Sequence, residues 1–322
     1  MVSGEGLFSE RVRLHVVTGK GGTGKTTVAA ALALSLAGTG RRVLLVEVEG
    51  RQGLAQLFDV AALPYEEQRL ASAANGGAVW GLAVDAEEAM IEYLDMFYGL
   101  RRSARGLQKM GAVDFVTTLA PGLRDVLLTG KVKESVTRTH QDATPVYDAV
   151  VLDAPPTGRI GKFLNATREV ANLAKVGPLN RQSAGVMELL RSARTLVHLV
   201  TLLEEMPVQE TLDAAAELTA DGYRLGSVVV NRARPDLGTG DGEVDVELLA
   251  AGLAQADLPA EHAAALADEI AQYTLRQRTQ LENAARLAAL DLPRIELPDL
   301  TPPVDLGELN LLATQISAAV PA

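Results

Sequence analysis

Short runs dominated by apolar and β-branched residues recur at 13–18, 43–48, 79–84, 149–153, 197–202, 226–231 and 294–297. Runs of that length with few polar alternates predict strands buried on both faces, as in a parallel sheet. The segments between them carry helical periodicity, beginning with the Ala- and Leu-rich stretch 27–36. Strands alternating with helices predict an α/β fold: a mostly parallel sheet with helices on both faces and ligands at the carboxyl ends of the strands. Between 85 and 147 the alternation lapses, and 86–100, 102–110 and 122–139 predict consecutive amphipathic helices. The stretches 159–174 and 181–193 have the same character. No long linker bounds them, so they predict a helical subdomain, formed by about 86–140 and 159–194, inserted on a single domain spanning 1–322. Residues 232–242 are polar and glycine-rich and predict a loop, 261–290 an Ala-rich helical stretch, and 306–319 a closing helix. No internal repeat is visible.

The first strand runs into Gly19-Lys20-Gly21-Gly22-Thr23-Gly24-Lys25-Thr26, which satisfies G-x-x-x-x-G-K-[ST] in the strand-loop-helix setting that gives the motif meaning. Glycines let successive N–H groups turn inward toward phosphate oxygens, and the following helix adds the positive end of its dipole. The expected nucleotide contacts are Gly21, Gly22, Thr23, Gly24, Lys25, Thr26 and Thr27. Lys25 would neutralise the β/γ-phosphates, and the Thr26 hydroxyl would ligate Mg²⁺. The fold expected is therefore a P-loop NTPase.

Composition narrows the partners. A net charge of −11 and a pI near 5.0 disfavour unspecific binding to nucleic acid or anionic lipid, both of which need a basic face. Arg101, Arg102 and Arg105 form one local basic cluster, read as a solvated helix face. Cysteine is absent, which excludes disulfides, thiolate-bound zinc, iron–sulfur clusters and a thiol nucleophile. No leader-like or membrane-spanning apolar stretch is present, so the expectation is a cytoplasmic protein without stable membrane insertion.

Triphosphate hydrolysis also needs a carboxylate for the metal and a group that positions water, each at a strand end. Asp153 closes Ala149-Val150-Val151-Leu152 and is the candidate for Mg²⁺, with a helix N-cap as the alternative. Glu47 and Glu49 flank Val48, and continued extension would point both to the same side. Glu49 is the candidate for positioning water; Glu47 reads either as an outer partner of the metal or as a solvated charge. A guanine-reading N-K-x-D is not met, since Asn231 is followed by Arg234 in place of the Asp.

On these residues the chain resembles, over most of its length, the deviant P-loop (deviant Walker A) ATPases that include the arsenical-pump ATPase, ArsA, and the tail-anchored-protein-targeting ATPase. Within that family it is similar to single-domain actinobacterial proteins labelled anion-transporting ATPases. Lys20 matches the family's signature lysine, which reaches across a dimer to the partner's phosphates; the resemblance thus implies a dimer and a catalytic set of Glu49, Lys20 and Lys25. Asp153-Ala154-Pro155-Pro156-Thr157-Gly158 is similar to switch II, D-T-A-P-T-G, with Ala154 in place of Thr and Pro156 in a shifted order. By resemblance, Gly158 senses the γ-phosphate through its N–H. Arg159 stands where the family usually has His. Glu49-Gly50-Arg51-Gln52-Gly53-Leu54 resembles switch I, D-P-A-H-N-L, so Glu49 takes the catalytic aspartate's place with a longer side chain. Displacements near 1 Å cost about a hundredfold in rate, so slow hydrolysis or dependence on a partner chain is expected. Pro121-Gly122 with Asp125 resembles P-G-x-x-E, and Val84-Asp85 to Tyr93 resembles I-D-P…E-Y. Asn231 matches an adenine-binding Asn, whose amide can pair with the N6/N7 edge. Pro298-Asp299-Leu300 resembles a loop that packs the adenine, although Pro298 is equally readable as a strand terminator.

The implied function is an Mg²⁺-dependent ATPase, binding ATP/ADP, that works as an ATP-driven dimer switch and handles a hydrophobic or protein cargo through its helical subdomain. Arsenite is not the expected ligand, because a soft metalloid needs thiols. The C-x-x-C of zinc-bridged targeting ATPases is absent as well. Met90, Met96, Met110 and Met187 fall in the helical stretches but are too few to separate a cargo groove from ordinary core. One alternative is a catalytically weak ATP-binding subunit that regulates a paralogous ATPase, so the dimer is either a homodimer or a heterodimer. Another is a partitioning or positioning ATPase, which the acidic balance and the absence of Lys and Arg from 311–322 disfavour.

Overall fold

The computed structural model describes residues 6–98, 122–173, 178–235, 244–256, 258–300 and 303–319. In chain order the elements are β1 (Leu14–Gly19), α1 (Lys25–Ala37), β2 (Arg42–Glu47), α2 (Gly53–Leu57), β3 (Gln68–Ser72), β4 (Ala78–Ala83), α3 (Ala86–Tyr98), α4 (Leu123–Thr137) and β5 (Ala149–Asp153). There follow α5 (Thr157–Leu173), α6 (Pro178–Arg191), β6 (Thr195–Thr201), α7 (Glu205–Ala220), β7 (Leu225–Ala233), α8 (Val246–Gln255), α9 (Ala260–Leu287), β8 (Arg294–Pro298) and α10 (Leu306–Ala319).

The strands form one sheet of eight in the order β3-β4-β2-β5-β1-β6-β7-β8, parallel throughout except for β3 against β4. Alternate residues feed two cores, as the pleat requires. Leu14, Val16, Leu44, Val46, Val150 and Leu152 face one layer of helices. Val17, Val43, Leu45 and Val151 face the other, where α1 and α10 pack. Lying between the sheet and α10, α1 is apolar round most of its circumference, and its alanines allow close approach on both sides.

The predicted strands are present, shifted by one or two residues at their ends. The predicted helices 86–100, 122–139, 159–174, 181–193 and 306–319 correspond to α3, α4, α5, α6 and α10, whereas 102–110, the basic cluster at 101–105, Pro121 and Met110 lie outside the described residues. In their described parts α3 to α6 pack on the sheet, contributing Met90, Leu127, Phe163 and Leu189 to its core. The stretch 261–290 is one helix, α9, closed by a 3₁₀ turn at Ala288–Leu290. Two expectations are corrected. Arg232 and Ala233, predicted as loop, extend β7, where Ala233 pairs with Pro298 of β8 beyond a register shift that leaves Arg232 out of the ladder, and Pro298 belongs to the end of β8 rather than to the loop that follows. No helix of the described residues is long and apolar enough to cross a membrane.

Candidate active site

β1 lies between β5 and β6, so the chain leaves its carboxyl end at the point where the order of strands reverses. Two glycines make that exit possible. A Cβ on Gly19 would lie 2.1 Å from the Val200 carbonyl oxygen of β6. Gly24 has φ +86°, and a Cβ there would lie 2.2 Å from the Asn231 amide nitrogen. Thr23 is buried, and its hydroxyl donates to the Lys20 carbonyl at 2.9 Å, closing the loop on itself. No side chain caps α1, whose first amides have no partner inside the helix. The loop therefore ends in main-chain donors that are able to bind an anion.

Lys25 is the first residue of α1 and is 8% exposed. Burial lowers its ammonium below the ordinary lysine range, and the Asp153 and Glu49 carboxylates oppose that shift. Thr26 donates its hydroxyl to Asp153 Oδ2 at 2.7 Å. Burial pushes the Asp153 carboxyl up to about 6, against the Thr26 hydrogen bond and the Lys25 charge, which lower it. The remaining oxygen, Oδ1, is buried and has no partner. Asp153 is thus directed at the loop and does not serve as a helix cap; α5 starts with Pro156 accepting from the amides of Arg159 and Ile160. An orphaned carboxylate oxygen beside a threonine hydroxyl fits Mg²⁺, a hard cation. Among the described residues no cluster of three acidic or histidine side chains forms a cage, which suits a metal held by few protein oxygens together with phosphates.

The two glutamates separate. Glu47 ends β2 beside Asp153 and is 2% exposed. Its carboxylate accepts from the amides of Gly53 at 3.4 Å and Leu54 at 3.2 Å, the start of α2. A solvated charge is therefore ruled out for Glu47: it anchors the segment that carries Glu49. Extension stops at Glu47, and the chain bends through Glu49 and Gly50, the latter at φ +67°. Glu49 lies 3.7 Å from Arg51 and near enough to Lys25 and Asp153 to influence both.

Lys20 does not point freely outward. Its Nζ lies 2.5 Å from Glu210 Oε1 on α7, and Glu210 Oε2 accepts from the Thr157 hydroxyl at 3.1 Å. No motif in the sequence marks Glu210. Thr18 on β1 donates to the Pro155 carbonyl at 2.7 Å, fastening the 153–158 segment to the P-loop strand. Gly158 lies exposed in the first turn of α5. Arg159, next in line, pairs with Asp125 of α4 at 3.2 Å.

On the other side of the loop, a cavity of about 230 Å³ is lined by Gly22, Gly24, Thr27, Asn231, Pro298, Asp299 and Leu300 among others. It brings together the residues expected at the base. Asn231 donates its amide to the Thr23 carbonyl at 2.9 Å, so it braces the P-loop while its Oδ1 stays available to accept. The Asp299 carboxylate is taken by Arg232 at 2.7 Å, so its backbone, with Pro298 and Leu300, forms the wall.

The sequence profile described as Anion-transporting ATPase matches residues 12–193. ATPase BagA of Mycobacterium tuberculosis is 55% identical over 315 residues, covering 95% of this chain and 93% of that protein. An arsenical pump-driving ATPase of Acidiphilium multivorum is 26% identical over 264 residues, covering 76% of this chain but only 43% of the relative. The profile match spans more than half of the chain, including the P-loop, Glu47, Glu49 and Asp153, and with it the chain belongs to the anion-transporting ATPase family.

Proposed function

We propose that the chain is an Mg²⁺-dependent ATPase in which water attacks the γ-phosphate in line, and that it works as a dimer. The observation that carries this reading is the convergence of uncapped α1 amides, buried Lys25, and the Thr26–Asp153 pair with its orphaned oxygen. Thr26 and Asp153 would hold Mg²⁺, which supplies charge neutralisation at the phosphates. The main-chain amides of 21–26 bind and orient the triphosphate, and Lys25 stabilises charge as it develops. Glu49 orients the water and takes up its proton. Lys20 contributes its charge to the partner's site, and the 153–158 segment follows the γ-phosphate. Adenine is the favoured base, because Asn231 Oδ1 can accept from its N6 amino group.

The helical layer α3 to α6 is the surface proposed to take up a hydrophobic or protein cargo, reached from the nucleotide through the Arg159–Asp125 pair. Arsenite is not proposed as a ligand, since no thiol is available for it. A second reading is favoured by one observation: the longer Glu49 carboxylate lies near Arg51, which suits slow turnover in a subunit that binds ATP to regulate a paralogue. Phosphate release by the purified chain, alone and after addition of a paralogue, with ATP and GTP compared, separates the two. Turnover alone and selective for ATP supports the enzyme; turnover only with the paralogue supports the regulatory subunit. Equal use of GTP contradicts the adenine assignment.

A further inference from the structure

We propose that Glu210 is a positioning residue that holds Lys20 within its own chain and yields it to a partner's phosphates when residue 157 moves. The inference rests on the dimer reading above. Lys20 Nζ lies 2.5 Å from Glu210 Oε1, a short charge-assisted contact. The other oxygen accepts from Thr157, so both ends of the carboxylate are engaged and its rotamer is set by two elements at once. Its base is firm, because the neighbouring Val208 and Thr211 of α7 are fully buried.

Electrostatics makes this arrangement exclusive. A lysine that kept Glu210 while meeting a triphosphate would bring a carboxylate against the phosphate oxygens, and like charges at contact repel. Lys20 must therefore leave Glu210 to act in trans. Thr157 opens α5 only a few residues beyond Asp153, and Thr18 ties the intervening Pro155 to β1. A shift of the 153–158 segment withdraws the Thr157 hydroxyl and frees the Glu210 carboxylate to rotate. The pair is partly exposed, with Lys20 at 30% and Glu210 at 35%, so it is weak enough to be exchanged and open enough to be probed.

Two measurements on the full chain test the proposal. In the absence of nucleotide, limiting acetic anhydride followed by peptide mass spectrometry reports the reactivity of Lys20, with exposed Lys162 as the internal reference. Glu210→Gln is expected to raise the rate at Lys20 three- to tenfold over wild type; equal rates overturn the proposal. Sedimentation velocity with a non-hydrolysable ATP analogue and Mg²⁺ then gives the dimer dissociation constant. Glu210→Gln is expected to lower it three- to tenfold, and that gain should vanish in a Lys20→Ala background, because the double-mutant cycle isolates the pair. A gain that survives removal of Lys20, or a dimer indifferent to Glu210→Gln, overturns the role of Glu210 alone. A wild-type chain that stays monomeric at saturating analogue overturns the self-association reading and this role with it.

Discussion

Glu47 ends β2 with its carboxylate on the amides of Gly53 and Leu54, whereas Glu49, just beyond, sits in a bend beside Arg51. The same side chain thus serves as an anchor in one place and as a candidate for chemistry in the other. Glu47→Ala leaves two amides without their acceptor, and a buried group left unsatisfied costs about 1–3 kcal/mol. Urea unfolding should show a loss of that size; a change below about 0.5 kcal/mol, the range of an ordinary surface substitution, would contradict the anchoring role. The P-loop and Asp153 could be located in the sequence because their chemistry needs fixed residue types at fixed distances from strand ends, whereas Asn231 was located only through its resemblance to an adenine-binding Asn. Glu210 and the anchoring bonds of Glu47 were not, because both depend on which distant element the side chain meets. The Asn231 bond to Thr23 was equally hidden: the sequence offered a base contact and gave no sign that the amide braces the loop.

At the scale of elements, the parallel strands were legible because burial on both faces leaves a run of apolar residues. β3 was not: Gln68 to Ser72 is partly exposed, pairs antiparallel with β4 at the sheet's edge, and is broken by a register shift between Arg69 and Ala71. Its signal was Asn75-Gly76-Gly77, where Gly76 at φ +90° turns the hairpin. α8 carried a signal too, since Asp245 caps the Leu248 amide at 3.0 Å. Among the glycines of the described strands, Gly19 leaves the least room for a side chain, where β1 meets β6. Gly19→Ala would force a methyl to 2.1 Å from the Val200 carbonyl, and overpacking of this kind costs about 1–3 kcal/mol. Urea denaturation of the variant should show that loss together with weaker ATP binding by calorimetry. A variant as stable as wild type would mean that β1 and β6 can separate at no cost.

For the whole molecule, stability should depend on pH through a histidine pair at the centre of the sheet. His15 on β1 and His198 on β6 are fully buried, with His15 Nδ1 3.2 Å from His198 Nε2. Ser227 donates its amide to His198 Nδ1, so in the neutral pair Nε2 of His198 carries the proton and gives it to His15 Nδ1. Protonating either ring would set N–H against N–H. Burial accordingly lowers His198 from 6.5 to about 4 and His15 well below its ordinary value, His15 also feeling His198. The unfolded chain takes up these protons first, so the stability they confer is complete above about 6.5 and is lost as pH falls toward 4. For His198 the loss approaches about 3 kcal/mol. Urea midpoints at pH 7 and pH 5 should fall for wild type relative to His198→Gln, whose side chain does not titrate. A difference between the two proteins that is constant with pH would contradict the assignment. No sequence pattern announced this pair, since a lone histidine in each of two distant strands carries no spacing to read.

The proposed division of labour in the P-loop site is ATP binding through Lys25 and hydrolysis through Glu49. Calorimetric ATP binding and phosphate release, measured side by side on wild type, Lys25→Ala and Glu49→Gln with saturating Mg²⁺, test it most directly. Lys25→Ala is expected no longer to bind ATP, while Glu49→Gln is expected to bind within about threefold of wild type and to lose about a hundredfold or more in turnover, the scale for removing a positioned general base. Wild-type turnover in Glu49→Gln, or undiminished ATP binding in Lys25→Ala, would contradict it.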